Sequence, residues 1–177
     1  MSDATWQVSS TYVSAFSQSL RALGLFEAVH AKAPELLVSP NAQRWWPGAD
    51  FVALLQACEA AHGRAQVIAA NVRTSHERMG PLVKPLASVL LALSSTPTAA
   101  LLKRLPAFLE AGVRGVSGSS ELRGDGATVR FVFPSPVPEV TSAVWHGLFD
   151  VGFSIARQGE VVSEVLAPTQ HTYEIRW

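Results

Sequence analysis

A single cysteine, Cys58, is the only thiol in the 177 residues, which excludes an internal disulfide and any thiolate metal cluster. Charge is scarce as well. Only 16% of residues are Asp, Glu, Lys or Arg, and the 14 acidic and 14 basic side chains cancel. A chain with no net charge has no general attraction for phosphate backbones, so no nucleic-acid partner is expected. The longest apolar run, Leu86 to Leu93, falls far short of the roughly 20 residues that a membrane span needs. Met1 to Trp6 has neither the basic nor the apolar region of a secretory signal. These gaps together lead to the expectation of a cytoplasmic protein with no membrane span.

The signatures of catalysis are missing too. There is no Gly-x-Ser-x-Gly elbow, no phosphate loop and no Gly-x-Gly-x-x-Gly string. Gly112 to Gly118 is rich in glycine but lacks the following lysine and helix. None of His30, His62, His76, His146 and His171 has the i, i+4 or short-turn company of a metal site. His76 is weighed as a heme or metal ligand against a solvated helix histidine, and the second reading is simpler. Cys58 has His62 one helical turn away, but its place on an apolar stripe reads as a small buried hydrophobe. Hence no catalytic residue, no metal and no cofactor is assigned, and the chain is not expected to be an enzyme.

Apolar side chains, by contrast, are plentiful at 48%, enough for one substantial core over a single domain spanning 1–177. After a loose lead-in over 1–9, residues 10–113 read as mostly helical. Tyr12, Val13, Phe16, Leu20 and Leu23 trace one helical face, which Gly24 interrupts. Asn41 to Gly48 reads as loop or a single turn, and Asp50 as the N-cap of the next helix. In that helix Phe51, Leu54, Leu55 and Cys58 recur at i, i+3, i+4 and i+7. Ala65 to Met79 predicts another helix, with Arg73, Glu77 and Arg78 outward. Leu82 to Leu93 is apolar nearly all round, as in a helix buried on several sides. Thr96-Pro97 opens the next, bent at Pro106.

Residues 115–177 read as strand, strand, helix, strand, strand. Thr128 to Phe133 alternates, with Val129, Phe131 and Phe133 on one face, and Gly124-Asp125-Gly126 supplies the hairpin turn. Val140, Ala143, Val144, Gly147, Leu148, Val151 and Gly152 repeat at helical spacing. Val161 to Leu166 and the alternating Tyr173, Ile175 and Trp177 complete a second hairpin. The fold class is therefore α+β: an N-terminal helical group packed on a four-stranded antiparallel sheet made of two hairpins with an intervening helix.

The run Leu102-Lys103-Arg104-Leu105-Pro106, the following strand pair, the Gly147 helix and the closing Tyr173-Glu174-Ile175-Arg176-Trp177 resemble an uncharacterised myxobacterial-type family of domains about 180 residues long. That family is similar, more remotely, to 4-vinyl-reductase-type and heme-NO-binding-type sensor domains. The resemblance covers residues 45–177 and is best after Ser75. It implies a helical part and a small antiparallel sheet with a ligand held between them. Heme-binding relatives use a helix histidine and a Tyr-x-Ser-x-Arg motif for the propionates, and this chain has no such motif. Paired cysteines found near the end of many 4-vinyl-reductase-type domains are absent from Val161 to Trp177. A heme or metal role does not carry over.

The resemblance implies an apolar pocket lined by Leu54, Cys58, Leu86 and Leu90, each on an apolar stripe. Trp45 and Trp46, two adjacent tryptophans before a Pro-Gly turn, cannot both face one core. Either they plug the helix layer and cover a loop, or one is an aromatic gate at the pocket mouth or a partner surface. The expected function is a non-enzymatic sensory or regulatory module binding a small apolar ligand. The alternative is a protein–protein scaffold with a filled core. Zero net charge and two open sheet edges favour a homodimer.

Overall fold

A computed structural model of the chain describes residues 5–33, 45–78, 85 and 94–177. Leu82 to Leu93, with the site candidates Leu86 and Leu90, therefore lies outside the described residues except for Pro85. Helix α1 (Ser10–Ala22) starts where Ser9 Oγ accepts the Tyr12 N–H at 3.2 Å, a side-chain N-cap. It buries Val13, Phe16 and Leu20 and stops at Gly24, whose φ of +70° suits a residue without Cβ. A separate helix α2 (Phe26–Lys32) follows.

Helices α3 (Gly48–His62) and α4 (Arg64–Arg78) are hinged at Gly63. Helix α3 begins at Gly48, so Asp50 sits in the first turn and does not cap it. The expected single helix after Thr96 is two, α5 (Pro97–Leu102) and α6 (Leu105–Gly112). Pro106 falls in the first turn of α6, where its missing N–H removes no helical bond, so it starts a helix and does not bend one.

The stretch expected as a loose lead-in is ordered over its described residues 5–9. Trp6 is buried, and Gln7–Ser9 form β1, the centre of a small antiparallel sheet between β2 (Trp45–Pro47) and β3 (Val113–Arg114). The stretch before Gly48, expected as loop or turn, thus holds a strand. Strands of two or three residues are too short to show a two-residue period, so alternation cannot reveal them. The Trp6 ring leaves no room for a side chain at Gly48, and Gly48 N–H donates to the Trp6 carbonyl at 2.8 Å.

The main sheet is antiparallel in the order β4-β5-β7-β6, comprising β4 (Ser117–Arg123), β5 (Gly126–Val132), β6 (Glu160–Ala167) and β7 (Gln170–Arg176). Hairpin β4–β5 closes through Gly124-Asp125, with Gly124 at φ +52°. The alternation read from sequence holds: Val129, Phe131, Phe133, Tyr173 and Ile175 are all buried, and Trp177 is half-buried against the same core. Between the hairpins, a 3-10 turn (Glu139–Thr141) leads into α7 (Ser142–Ala156). One face of α7 covers the sheet, where Trp145 stacks on Phe131 at 3.9 Å between centroids and 6° between planes. A second face meets α4. One contiguous apolar cluster runs from Trp6 to Ile175.

Candidate functional site

The third face of α7 borders a cavity of about 240 Å³. Thr141, Val144, Trp145 and Leu148 line it at i, i+3, i+4 and i+7, the spacing that puts side chains on one helical stripe. Trp6 and Val8 come from the start of β1, Tyr12 from α1 and Phe51 from α3. Ser75 and Arg78, a turn apart on α4, with Leu109, Ala111 and Gly112 at the end of α6 and Val113 of β3, complete the wall. No residue of the four-stranded sheet is among these lining residues. The cavity lies between the small sheet, the helices and α7, not directly on the main sheet as the resemblance implied.

The wall is apolar except for one patch. Tyr12 Oη donates to Asn71 Oδ1 at 2.8 Å, and Arg78 Nη1 donates to Ser9 Oγ at 3.1 Å. The Arg78 guanidinium stands 5.9 Å from the Tyr12 ring centre. Burial pushes the Tyr12 phenol far up, against the downward pull of a Ser75 hydrogen bond and of Arg78. Burial lowers Arg78, which Tyr12 partly offsets. Thr141 Oγ1 and the Trp145 indole Nε1 are buried with no hydrogen-bond partner among the described residues.

The four described candidates from sequence fall elsewhere. Leu54 and Cys58 are fully buried in close-packed core, and neither lines the cavity; Phe51, one turn earlier on the same stripe, does. Trp45 and Trp46 are half-buried on β2, with Arg114 stacked 3.9 Å over the Trp45 ring. Trp46 packs on the core through β2 opposite Val8, and neither tryptophan lines the cavity. Burial raises the Cys58 thiol to about 11, so it is inert as a nucleophile at neutral pH. His62, its presumed neighbour, instead bonds the Leu25 carbonyl at 3.0 Å.

Every histidine, the cysteine and both tyrosines lie within the described residues. His76 pairs with Asp150 at 2.8 Å and His146 with Glu164 at 3.0 Å. His171, on the inner face of the sheet beside Phe133, is buried with neither ring nitrogen bonded among the described residues. Burial holds it down to about 4, helped by Arg64 and opposed by Glu164 and Glu139. The unfolded chain takes up this proton near pH 6.5, so stability present above that pH is lost as pH falls toward about 4. The expected loss is up to about 3 kcal/mol. Urea unfolding at pH 7 and pH 4.5 checks this: His171→Leu should flatten the acid limb, and an unchanged limb would assign it to other groups.

Solved structures identify the class of fold as that of H-NOX domains. The chain superposes on one studied for heme distortion in the H-NOX family with TM-score 0.63 at 10% identity, over 96% of this chain and 94% of that one. An oxygen-binding H-NOX domain related to soluble guanylate cyclases, in its oxygen complex, gives 0.58 at 10% identity over 95% and 93%. A third, from work on the mechanism of H-NOX activation, gives 0.57 at 10% identity over 92% of each chain. No protein-family model matches the chain, and no curated protein matches it in sequence.

The fold implies heme, but the described residues do not fit it. Heme iron is held by histidine, cysteine, methionine or tyrosine. None of the five histidines is among the lining residues, and nor is Cys58, the one sulfur among the described residues. The one tyrosine there, Tyr12, is a buried phenol donating to Asn71, far from ionising. At 240 Å³ the space is also below the roughly 300–1,000 Å³ of sites for drug-sized ligands.

Proposed function

We propose that this chain is a non-enzymatic sensory module that holds a small, mostly apolar molecule other than heme in the cavity beside α7. The observation that carries the reading is the cavity itself: an apolar chamber with one polar patch, bounded by both the helical layer and the helix that covers the main sheet. An apolar lining of this kind favours an apolar occupant over water. The likeness to H-NOX domains supports a sensory role, since α7 touches the cavity on one face and the sheet on another. A ligand that shifts α7 would therefore move Trp145 against Phe131.

As a working unit we place the module in the cytoplasm as a homodimer. The support is the absence of net charge and an exposed edge strand β6, where Val162 and Val165 are 44% and 65% exposed. No helix among the described residues is long and apolar enough to cross a membrane.

Native mass spectrometry of freshly purified protein tests the ligand, and Val144→Phe tests the space. If the cavity holds a ligand, the larger ring takes its place: stability is kept within about 1 kcal/mol and the bound mass disappears. In a scaffold whose core has no room, the same substitution costs about 1–3 kcal/mol and there is no bound mass to lose.

A further inference from the structure

Arg78 is the one cation among the cavity-lining residues, and no carboxylate pairs with it among the described residues. We infer that the ligand of this cavity is an apolar monocarboxylate, its tail among Trp6, Phe51, Val144 and Trp145 and its carboxylate on the Arg78 guanidinium. This rests on the ligand-binding reading above and names the chemical class of that ligand.

Three features lead to it. A guanidinium presents five donors in a planar fork that matches a carboxylate, and here Nη1 alone has a hydrogen bond among the described residues, to Ser9 Oγ. Tyr12 holds the head group's side of the site in place: its hydroxyl is tied to the buried Asn71 and its ring lies beside the guanidinium. Arg78 is exposed and also lines the cavity, so an anion reaches its guanidinium without a large desolvation cost. Apart from the neutral Ser75 and Thr141 hydroxyls and the Trp145 indole N–H, the rest of the wall offers a tail rings and aliphatic groups, so a second charge on the ligand would be buried without an opposite charge. At about 30 Å³ per water-sized group, 240 Å³ admits roughly eight non-hydrogen atoms, the carbon chain of an eight-carbon acid whose two carboxylate oxygens lie on the guanidinium.

The test uses octanoate, 1-octanol and octylamine as probes, followed by the fluorescence of Trp6 and Trp145 and by thermal shift. Octanoate should bind about tenfold more tightly than octanol, and octylamine more weakly than both, the gain being modest because Arg78 is exposed. Arg78→Gln should remove the advantage of octanoate while leaving octanol within about twofold, which shows an intact cavity. Wild-type protein supplies a second measurement independent of that variant: raising ionic strength from about 0.01 to 1 M should weaken octanoate and leave octanol unchanged. Equal binding of acid and alcohol, or a parallel loss of both in Arg78→Gln, would overturn the carboxylate while leaving a ligand-binding cavity. Failure of all three probes to bind would overturn this inference and the ligand-binding reading together.

Discussion

Gly147→Ala is expected to destabilise the protein by about 3 kcal/mol, and Gly147→Val to prevent native packing of α7 altogether. A Cβ at this position would lie 2.6 Å from the Asn71 carbonyl oxygen and 2.8 Å from both its carbon and Ser75 Oγ. Two of these three atoms are α4 backbone, which cannot rotate away, so one helix must move off the other. Alanine gains about 1 kcal/mol of helix propensity over glycine, and the figure is net of that. The displacement would not stay local. Asn71 accepts the Tyr12 hydroxyl, and Ser75 lines the cavity, so the polar patch around Arg78 would shift with α4. Urea unfolding of Gly147→Ala measures the cost, and thermal unfolding should fall by about 6–12 °C for a chain of this length. An alanine variant as stable as wild type would mean that the two helices are farther apart than described.

Gly147 also shows how far such a site can be read in advance. Its place on the apolar stripe of α7 is visible as a period, and so is the four-stranded sheet, because Thr128 to Phe133 alternates over six residues and Tyr173 to Trp177 repeats the pattern. Period detects what a long element does with its two faces. It is silent on β1, β2 and β3, which have too few residues to repeat anything. It also misplaces the site. Leu54 and Cys58 share one stripe with Phe51, and nothing in the spacing says that Phe51 meets a cavity while the other two meet packed side chains. On α7 the period picks out Val144 and Leu148 but not Trp145. Trp145 serves the sheet and the cavity at once, and a single period assigns each residue to one face. Arg78 reads as outward, and it is exposed, but it also borders the cavity. Its partners Ser9 and Tyr12 lie some 70 residues earlier, so only the tertiary fold reveals it.

Phe131→Ala should cost about 3–5 kcal/mol, the range for removing a fully buried phenyl ring. Phe131 has no exposed surface. It stacks on Trp145 and meets the rings of Tyr173 at 5.9 Å and Phe149 at 6.1 Å. The main sheet and α7 are held together through this aromatic cluster, so the cost combines lost transfer energy with a void that stiff neighbouring rings fill poorly. Phe131→Leu keeps most of the volume and should cost less than half as much. Trp145 links this packing to function. Its ring is both the partner of Phe131 and a wall of the cavity, so in Phe131→Ala the indole can relax toward the sheet and enlarge the chamber. Octanol should therefore still bind the alanine variant, by at least its wild-type affinity, at temperatures where that variant remains folded. The Trp fluorescence change on binding should differ from wild type, because Trp145 would start from a new position. Urea unfolding and the same fluorescence titration check the two halves separately. A cost below about 1 kcal/mol would show that the stack contributes little to joining sheet and helix. An unaltered fluorescence response would show that Phe131 does not set the position of the cavity wall.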